Sequence, residues 1–391
     1  MENNPDMLHN ARNGRHLFPL GTAILLIAAG LLGCLAIYSS RAFGDEPKLF
    51  VLRQLQWLFP GVLMFLVSAV IPFRIYRKLS PFLMAAGIAS LILVLFFGNT
   101  INGMRGWLRI GNVNFQPSEL VKTFFLLFLC VRCGPPEKMT AGRQLALFLV
   151  AAVTWGLVMM EPDYGATVIL FLIFLLIAVL SGAKLHYLLI AGLTMFTATL
   201  YFLLVNDYAM RRIIGFLNPD GANAWHIRQF QYTMAHGGWT GSDWGNALWS
   251  GSFLPLPHTD SLFASIVEST GFIGGLLVMA GFLFMAGVCC AISWKIRGSN
   301  NDRRFFIFSA GTLYLIQALI HISVNCVLIP PTGITLPLLS YGGSSLLAVM
   351  LTFGIAFSAA RHDDNEPEPI SSVPPPAAAE PRIDPAGSPH G

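Results

Sequence analysis

The chain has 391 residues, of which 54% are hydrophobic and only 11% are charged. Soluble domains carry about 25% charged residues, so this composition excludes a water-facing surface of ordinary size. The formal net charge is only +4, and no basic cluster is interleaved with aromatic residues, which argues against nucleic acid as a partner.

Ten apolar blocks follow one another along the chain, and a helix that crosses a bilayer needs roughly 20 such residues. The first block is too long for a signal-peptide core, so we expect a retained helix. The six cysteines lie in or at the ends of blocks without zinc-like spacing, so neither a metal site nor a disulfide framework is expected. The blocks predict an all-α, polytopic membrane protein of about ten transmembrane helices, at approximately 17–38, 50–71, 79–98, 118–133, 144–161, 164–182, 185–204, 262–293, 305–328 and 339–360.

Basic residues alternate in density between successive loops, and cytoplasmic loops are usually the richer ones. If the N-terminus is cytoplasmic, the basic residues of the inside segments include Arg74, Lys78 and Arg304. This bias predicts a multi-pass inner-membrane protein with both termini in the cytoplasm.

The blocks define a transmembrane domain at 17–360, preceded by a cytoplasmic segment at 1–16. The last segment, 361–391, is rich in Pro, Ala and acidic residues and is expected to be a disordered cytoplasmic tail. The segment between helices 7 and 8, 205–261, is a long extracytoplasmic loop. Loops of this length are usually functional or disordered, and its many aromatic residues argue against plain disorder.

Charges inside apolar blocks are costly and are functional candidates by default. Glu119 and Lys122 open the fourth block at positions i and i+3, so they share a helix face and can pair. A structural ion pair near the membrane interface and a functional pair explain this spacing equally well. Asp163 lies in a very short outside turn, where a helix cap is the better interpretation.

Asp260 lies at the junction of the long loop with the eighth block, beside His258, and Glu268 follows two turns later on the same face. A partly buried carboxylate with a raised pKa could act as a general base. An N-cap at the start of the helix fits equally well, and the spacing alone does not separate the two readings.

Five arginines lie outside, where the charge bias disfavours them, and guanidinium groups suit bidentate binding of phosphates. Snorkelling to lipid headgroups accounts for some of them equally well. They are Arg105, Arg109, Arg211, Arg212 and Arg228. The small residues from Ser340 to Ser345 permit close approach of a helix or a ligand, without the Lys of a Walker loop.

Taken together, motifs along the whole of 17–360 resemble the SEDS family, the FtsW/RodA/SpoVE proteins, and lean toward its FtsW branch. The motifs that carry the resemblance are Asn102-Gly103-Met104-Arg105-Gly106-Trp107, Gln116-Pro117-Ser118-Glu119 with Lys122, Glu161-Pro162-Asp163-Tyr164-Gly165, Arg212-Ile213 with Phe216-Leu217-Asn218-Pro219, Gln229 before Gly237-Gly238, His258-Thr259-Asp260, and Pro331-Thr332-Gly333-Ile334-Thr335-Leu336-Pro337 with Ser340-Tyr341-Gly342-Gly343-Ser344-Ser345.

The resemblance implies an inverting peptidoglycan glycosyltransferase that polymerises lipid II, the undecaprenyl-pyrophosphate-linked disaccharide peptide, at the outer face of the membrane. Asp260 matches the essential aspartate and would be the general base. Arg105, Arg109 or Arg212 would offset the pyrophosphate charge, and Glu119 and Lys122 would shape the cavity floor. The remaining residues expected to bind substrate are Asp163, Gln229, His258, Thr259, Glu268, Ser340 and Ser344.

The implied partners are a class B penicillin-binding protein, divisome proteins and membrane lipids, and the resemblance leaves open whether a divalent cation assists. Departures from the family pattern concern mostly the surroundings of Asp260. They are Gly106 in place of the second arginine of the first motif, Leu256 in place of a glutamate, Ser261-Leu262-Phe263 in place of Phe-Ile-Phe, and Ser269 in place of the second glutamate of Glu-Glu-x-Gly. Two alternatives therefore stay open: a flippase or transporter of lipid-linked precursors, and a non-catalytic scaffold for the transpeptidase.

Overall fold

The computed structural model describes residues 5–43, 46–101, 103–111, 113–134, 140–221, 224–296 and 301–361, with the backbone alone at 5–20, 110 and 208. From residue 362 onward, the tail expected at 361–391 lies outside the described residues. The N-terminal segment expected at 1–16 is helical from Pro5, so the first helix begins earlier than its apolar block.

Ten long helices of the described chain coincide with the ten apolar blocks, which confirms the all-α, polytopic class. They are α1 (Pro5–Ser40), α2 (Pro47–Val70), α3 (Phe73–Phe97), α4 (Pro117–Cys133), α5 (Ala141–Met160), α6 (Tyr164–Leu180), α7 (Leu185–Val205) and, after the long loop, α11 (Leu262–Lys295), α12 (Asp302–Asn325) and α13 (Gly343–Ala360).

Eight of these helices are long and apolar enough to cross a membrane, with Gly21–Ser40 as the apolar part of α1. The other two, α4 and α6, have 17 residues each. Helix α4 also carries Glu119, Lys122 and Arg132, which interrupt its apolar character. A 17-residue helix is at the short end of the lengths that cross a bilayer.

The centre of the bundle is formed by α12 and α13, together with α4, whose side chains are mostly buried. In the most apolar stretch of each helix, 61% of the residues of α12 and 78% of those of α13 are buried inside the protein, compared with 11% for α7. Leaving a buried polar side chain without a hydrogen bond is costly, which favours partners for the polar residues of these central helices on their own helix or on neighbouring elements.

The described residues of 99–115, between α3 and α4, form a small antiparallel sheet that was not predicted from the sequence. Its strands are β1 (Asn99–Ile101), β2 (Met104–Ile110) and β3 (Val113–Phe115), in the order β1-β2-β3. Leu108 pairs with Phe115 and Ile110 with Val113. The turns contain Gly103 and Gly111, with φ values of 80° and 61°.

The long loop contains three further helices, α8 (Asp207–Leu217), α9 (Trp225–Gly237) and α10 (Leu248–Ser252). It packs on the first turns of α11 through close backbone contacts: a Cβ on Gly237 would lie 2.2 Å from the carbonyl oxygen of Val267. Gly271, with φ 71°, breaks α11, and the following Phe272 donates its N–H to Gly238 at 2.9 Å. The expectation that this loop is ordered rather than plainly disordered is confirmed.

Candidate functional site

Asp260 lies in the turn that precedes α11, and its carboxylate is half-buried. The N-cap of α11 is Ser261, so the interpretation of Asp260 as the helix cap is wrong. Asp260 Oδ2 and Arg212 Nη1 lie 3.6 and 3.9 Å from the point where a Cβ on Gly333 would stand. The carboxylate and the guanidinium therefore face the same small space beside Gly333.

Burial raises the pKa of Asp260 from 3.8 to about 6, while the charge of Arg212 and a hydrogen bond with Thr259 act in the opposite direction. A carboxyl with this pKa is mostly ionised at neutral pH and yet far more basic than an ordinary aspartate. This is the combination that a general base requires at neutral pH.

Glu119 and Lys122 form the ion pair that their spacing predicts, with 2.9 Å between Lys122 Nζ and Glu119 Oε1. The pair is buried rather than at an exposed interface, with Lys122 only 2% exposed. Lys122 Nζ also donates to Gln317 Oε1 at 2.9 Å. Buried pairs persist only when further hydrogen bonds satisfy them, and Gln317 supplies one here.

Asp163 caps α6, as its position in the turn predicts: Oδ1 accepts the N–H of Ala166 at 2.9 Å. Its other oxygen, Oδ2, accepts from Gln116 Nε2 at 3.2 Å, which ties the turn to the start of α4. Burial raises the pKa of Asp163 to about 6, against the attraction of Lys122 and with the repulsion of Glu119 and Asp260. These four charged groups therefore share one electrostatic neighbourhood.

Glu161 is a buried carboxyl that was not predicted as a site residue from the sequence. Within the described chain, neither of its oxygens has a hydrogen-bond partner. Burial, and then the charge of Asp163, raises the pKa of Glu161 to about 9. A Cβ on Gly106 would lie 3.3 Å from Glu161 Oε2, so the glycine that departs from the family motif faces this carboxyl directly.

His258 lies in an aromatic cluster, with its ring centroid 4.6 Å from that of Phe50 and 5.6 Å from that of Tyr341. Burial and the charge of Arg41 lower the pKa of His258 to about 4, so the imidazole is neutral at physiological pH. Its carbonyl accepts the N–H of Tyr341 at 2.8 Å. His258 therefore links the segment that carries Asp260 to the 340–345 segment, and its imidazole brings no charge to this contact.

Ser340 and Ser344 hold loops together. The Ser340 hydroxyl donates to the carbonyl of Thr259 at 2.8 Å and accepts the N–H of Leu336 at 2.9 Å. The Ser344 hydroxyl accepts the N–H of Gln116 at 2.9 Å. Since both hydroxyls already bond to the protein, their assignment to substrate, like that of Thr259, stays a prediction.

Glu268 is fully buried and its carboxylate bonds to groups within the protein, so its assignment to substrate stays a prediction. Its carboxylate accepts the N–H groups of Trp249 and Ser250 at 2.8 and 2.7 Å, the hydroxyl of Ser250, and a hydrogen bond with His236 Nδ1 at 2.9 Å. Gln229 Oε1 accepts from Trp249 Nε1 at 3.0 Å. Glu268 therefore holds α9 and α10 against α11, and Gln229 connects α9 to α10.

Arg105 and Arg109 are exposed and bond to carbonyls near the sheet. Arg105 donates to Gly98 and Leu95 at 3.1 and 3.2 Å, and Arg109 to Gly111 at 3.2 Å. Arg212 also donates to the carbonyl of Pro331 at 3.3 Å, which holds its side chain beside Gly333. Of the three arginines expected to face a pyrophosphate, Arg212 is the one whose described contacts place it next to Asp260.

The fold and the site define a polytopic membrane protein that carries a half-buried aspartate and an arginine where its long loop meets the bundle. The profile of the FtsW/RodA/SpoVE family, described as a cell cycle protein, matches residues 18–365. The chain belongs to this family, as the motifs of its sequence predict.

Relatives and solved structures agree with the assignment. The chain is 31% identical over 353 residues to the probable peptidoglycan glycosyltransferase FtsW of Coxiella burnetii, covering 87% of this chain and 94% of the relative. It is 31% identical over 335 residues to the protein of the same name from Legionella pneumophila, covering 83% and 84%.

Among solved structures, a chain of a peptidoglycan synthase complex in which polymerization and crosslinking are coordinated matches with a TM-score of 0.71 and 26% identity, covering 87% of this chain and 97% of that one. The rod shape determining protein RodA of Thermus thermophilus matches with a TM-score of 0.65 and 25% identity, covering 87% and 95%.

Proposed function

We propose that the protein is a peptidoglycan glycosyltransferase that polymerises lipid II at the outer face of the bacterial inner membrane, in cell division. Family membership and the names of its relatives support this activity. The observation that carries the proposal is the pairing of a half-buried Asp260 with Arg212 around Gly333. The positive-inside bias supports an orientation with both termini in the cytoplasm and this site outside.

The reaction joins the 4-hydroxyl of the acceptor sugar to C1 of the donor sugar and releases undecaprenyl pyrophosphate. Asp260 accepts the hydroxyl proton as the oxygen attacks C1, and the attack inverts the anomeric centre from α to β. Arg212 offsets the negative charge that grows on the departing pyrophosphate. The guanidinium suits this role because it presents several donors in a fixed plane to phosphate oxygens.

The buried pair of Glu119 and Lys122, with Asp163, supports the site from beneath. The charges of Glu119, Lys122 and Asp260 all act on the pKa of Asp163, so the buried pair and the proposed base share one electrostatic neighbourhood. Lipid II is the substrate of the proposal, membrane lipids surround the bundle, and a class B penicillin-binding protein would crosslink the strands among divisome proteins.

The direct test is lipid II polymerisation by the purified protein together with its transpeptidase partner. Wild type is compared with Asp260→Asn and with Asp207→Asn, which removes an exposed carboxylate from α8 in the same loop. We expect glycan strands from wild type and Asp207→Asn and none from Asp260→Asn. No strands from any of the three, with the complex intact, would reject the enzyme and favour a scaffold or a transporter.

A further inference from the structure

The first turn of α11, which follows Asp260 directly, is not capped by its own residues in the described chain. Ser261, at the N-cap, donates its hydroxyl to the carbonyl of Pro255 at 2.6 Å and makes no side-chain cap bond. The first N–H groups of a helix have no partner within the helix, and leaving them buried without one is costly. They must therefore be satisfied from elsewhere.

Helix α12 supplies the missing partners from one polar face. Gln317, His321 and Asn325 are spaced by four residues, so they lie one above another on the helix, and all three are fully buried. The Nε2 atom of His321 accepts the N–H of Phe263 at 3.4 Å, and Oδ1 of Asn325 accepts the N–H of Ala264 at 3.1 Å. Two side chains of α12 therefore cap the N-terminus of α11.

The same three side chains also hold the parts of the site in place. Asn325 Nδ2 donates to the carbonyl of Asp260 at 3.1 Å. His321 Nδ1 donates to the carbonyl of Ile334 at 2.7 Å, next to Gly333. Gln317 connects Lys122, through its Oε1, with the carbonyl of Thr335, to which its Nε2 donates at 3.0 Å.

The hydrogen bonds of His321 define one tautomer. The carbonyl of Ile334 can only accept, so Nδ1 carries the hydrogen, and Nε2 must offer its lone pair to the N–H of Phe263. The imidazole is therefore neutral and bridges two different backbone segments. Glutamine can replace the Nε2 acceptor, whereas leucine of similar size can replace neither contact.

We propose that His321 and Asn325 are positioning residues that fix Asp260 relative to Arg212 by capping α11 from α12, while Gln317 on the same face links Lys122 to the segment of Thr335. This inference rests on the proposed polymerase activity for its kinetic consequence, but not for the capping itself. Because small displacements of a catalytic group lower the rate of the chemical step strongly, losing these bonds should reduce kcat more than it changes KM.

The test combines kinetics with hydrogen exchange on the full-length protein in complex with its partner. We compare His321→Leu, His321→Gln and Asn325→Leu with Thr312→Val. The control lies on the same helix and removes a hydroxyl that bonds only to the carbonyl of Phe308, at 2.9 Å, among the described contacts.

We expect His321→Leu and Asn325→Leu to lower kcat by about tenfold or more with KM for lipid II within about twofold. His321→Gln should restore most of kcat, and Thr312→Val should behave as wild type. Amide exchange in the first turn of α11 should rise in the two leucine variants and stay near wild type in the other two.

Unchanged exchange in the first turn of α11 in both leucine variants would overturn the capping, whatever the activity shows. Two outcomes would overturn the positioning role. One is a wild-type kcat in the leucine variants despite raised exchange, and the other is an equal loss of kcat in His321→Leu and His321→Gln. If the wild type itself makes no polymer, the proposed function fails, while the exchange measurement still decides whether α12 caps α11.

Discussion

Gly106 and Glu161 face each other at the edge of the site: a Cβ on Gly106 would lie 3.3 Å from Glu161 Oε2. The family motif has an arginine at the position of Gly106, and the glycine leaves the buried carboxyl without a cationic neighbour at this point. Burial, and then the charge of Asp163, raises the pKa of Glu161 to about 9, because an ionised carboxylate is poorly stabilised in a buried site without a partner.

We predict that Glu161→Gln preserves or increases stability at neutral and alkaline pH. The pKa of Glu161 is raised from 4.5 to about 9, so the folded protein keeps a proton that the unfolded chain releases. The resulting stability is present below the unfolded pKa and is lost as the pH rises through this interval. Glutamine imitates the protonated acid and does not titrate.

The measurement is thermal unfolding in detergent from pH 5 to pH 9, with Glu46→Gln as a control that removes an exposed carboxyl. Wild type and the control should lose stability more steeply than Glu161→Gln as the pH rises. Parallel curves for all three proteins would show that Glu161 does not hold the proton.

A second prediction concerns the pH dependence of polymerisation. Because Asp260 must be ionised to accept a proton, and its pKa is raised to about 6, activity should fall as the pH is lowered through 6. The charge of Arg212 lowers this pKa, so Arg212→Gln should move the acidic limb to higher pH in addition to lowering the maximum rate. The check is a profile of kcat/KM against pH.

Arg211→Gln is the matched control for that profile, because Arg211 is the neighbouring exposed arginine of α8. It should leave the acidic limb where the wild type has it. An acidic limb near pH 4 in the wild type, or the same shift in both arginine variants, would contradict the assignment of the limb to Asp260 beside Arg212.

A third prediction addresses the buried pair at the start of α4. Lys122→Met leaves Glu119 buried without its cation, and breaking a buried pair typically costs about 3–5 kcal/mol. The double change Glu119→Gln with Lys122→Met should recover most of that loss, because no unpaired charge remains. Equilibrium unfolding of both variants measures the coupling, and Arg132→Met on the same helix controls for loss of an exposed cation. Additive losses in the double variant would mean that the two charges do not stabilise each other.

The features that follow from local sequence were predictable, and the ones that failed depend on distant partners. The ten apolar blocks became ten helices because bilayer thickness sets a helix length that composition reveals. Asp163 was correctly predicted as a cap because the N–H that it accepts lies three residues away. For Asp260, the sequence did not distinguish a helix cap from a general base, since the groups that cap α11 come from His321 and Asn325.

Two other features were not predicted from the sequence, for different physical reasons. The small sheet escaped prediction because two of its strands have three residues each and show no usable alternation. The role of Glu268 depends on Trp249 and Ser250, nearly twenty residues earlier, and on how the long loop folds back. The spacing of Glu268 from Asp260 predicts that the two residues share a face, but it does not show which elements the Glu268 carboxylate contacts.

The last prediction follows from that role. Glu268→Ala removes the acceptor of two backbone N–H groups, the Ser250 hydroxyl and His236, and each buried donor left without a partner costs about 1–3 kcal/mol. We expect α10 and the end of α9 to detach from α11, so that protease cleavage within 238–253 becomes faster while the bundle stays folded. Glu46→Gln, an exposed carboxyl variant, should be cleaved at the wild-type rate.

Because the same loop carries Arg212 on α8 and leads into Asp260, Glu268→Ala should also lower polymerisation, although Glu268 touches neither residue in the described contacts. Wild-type cleavage and activity in Glu268→Ala would show that the loop is held by its other contacts with α11, among them the backbone pairing around Gly238 and Phe272.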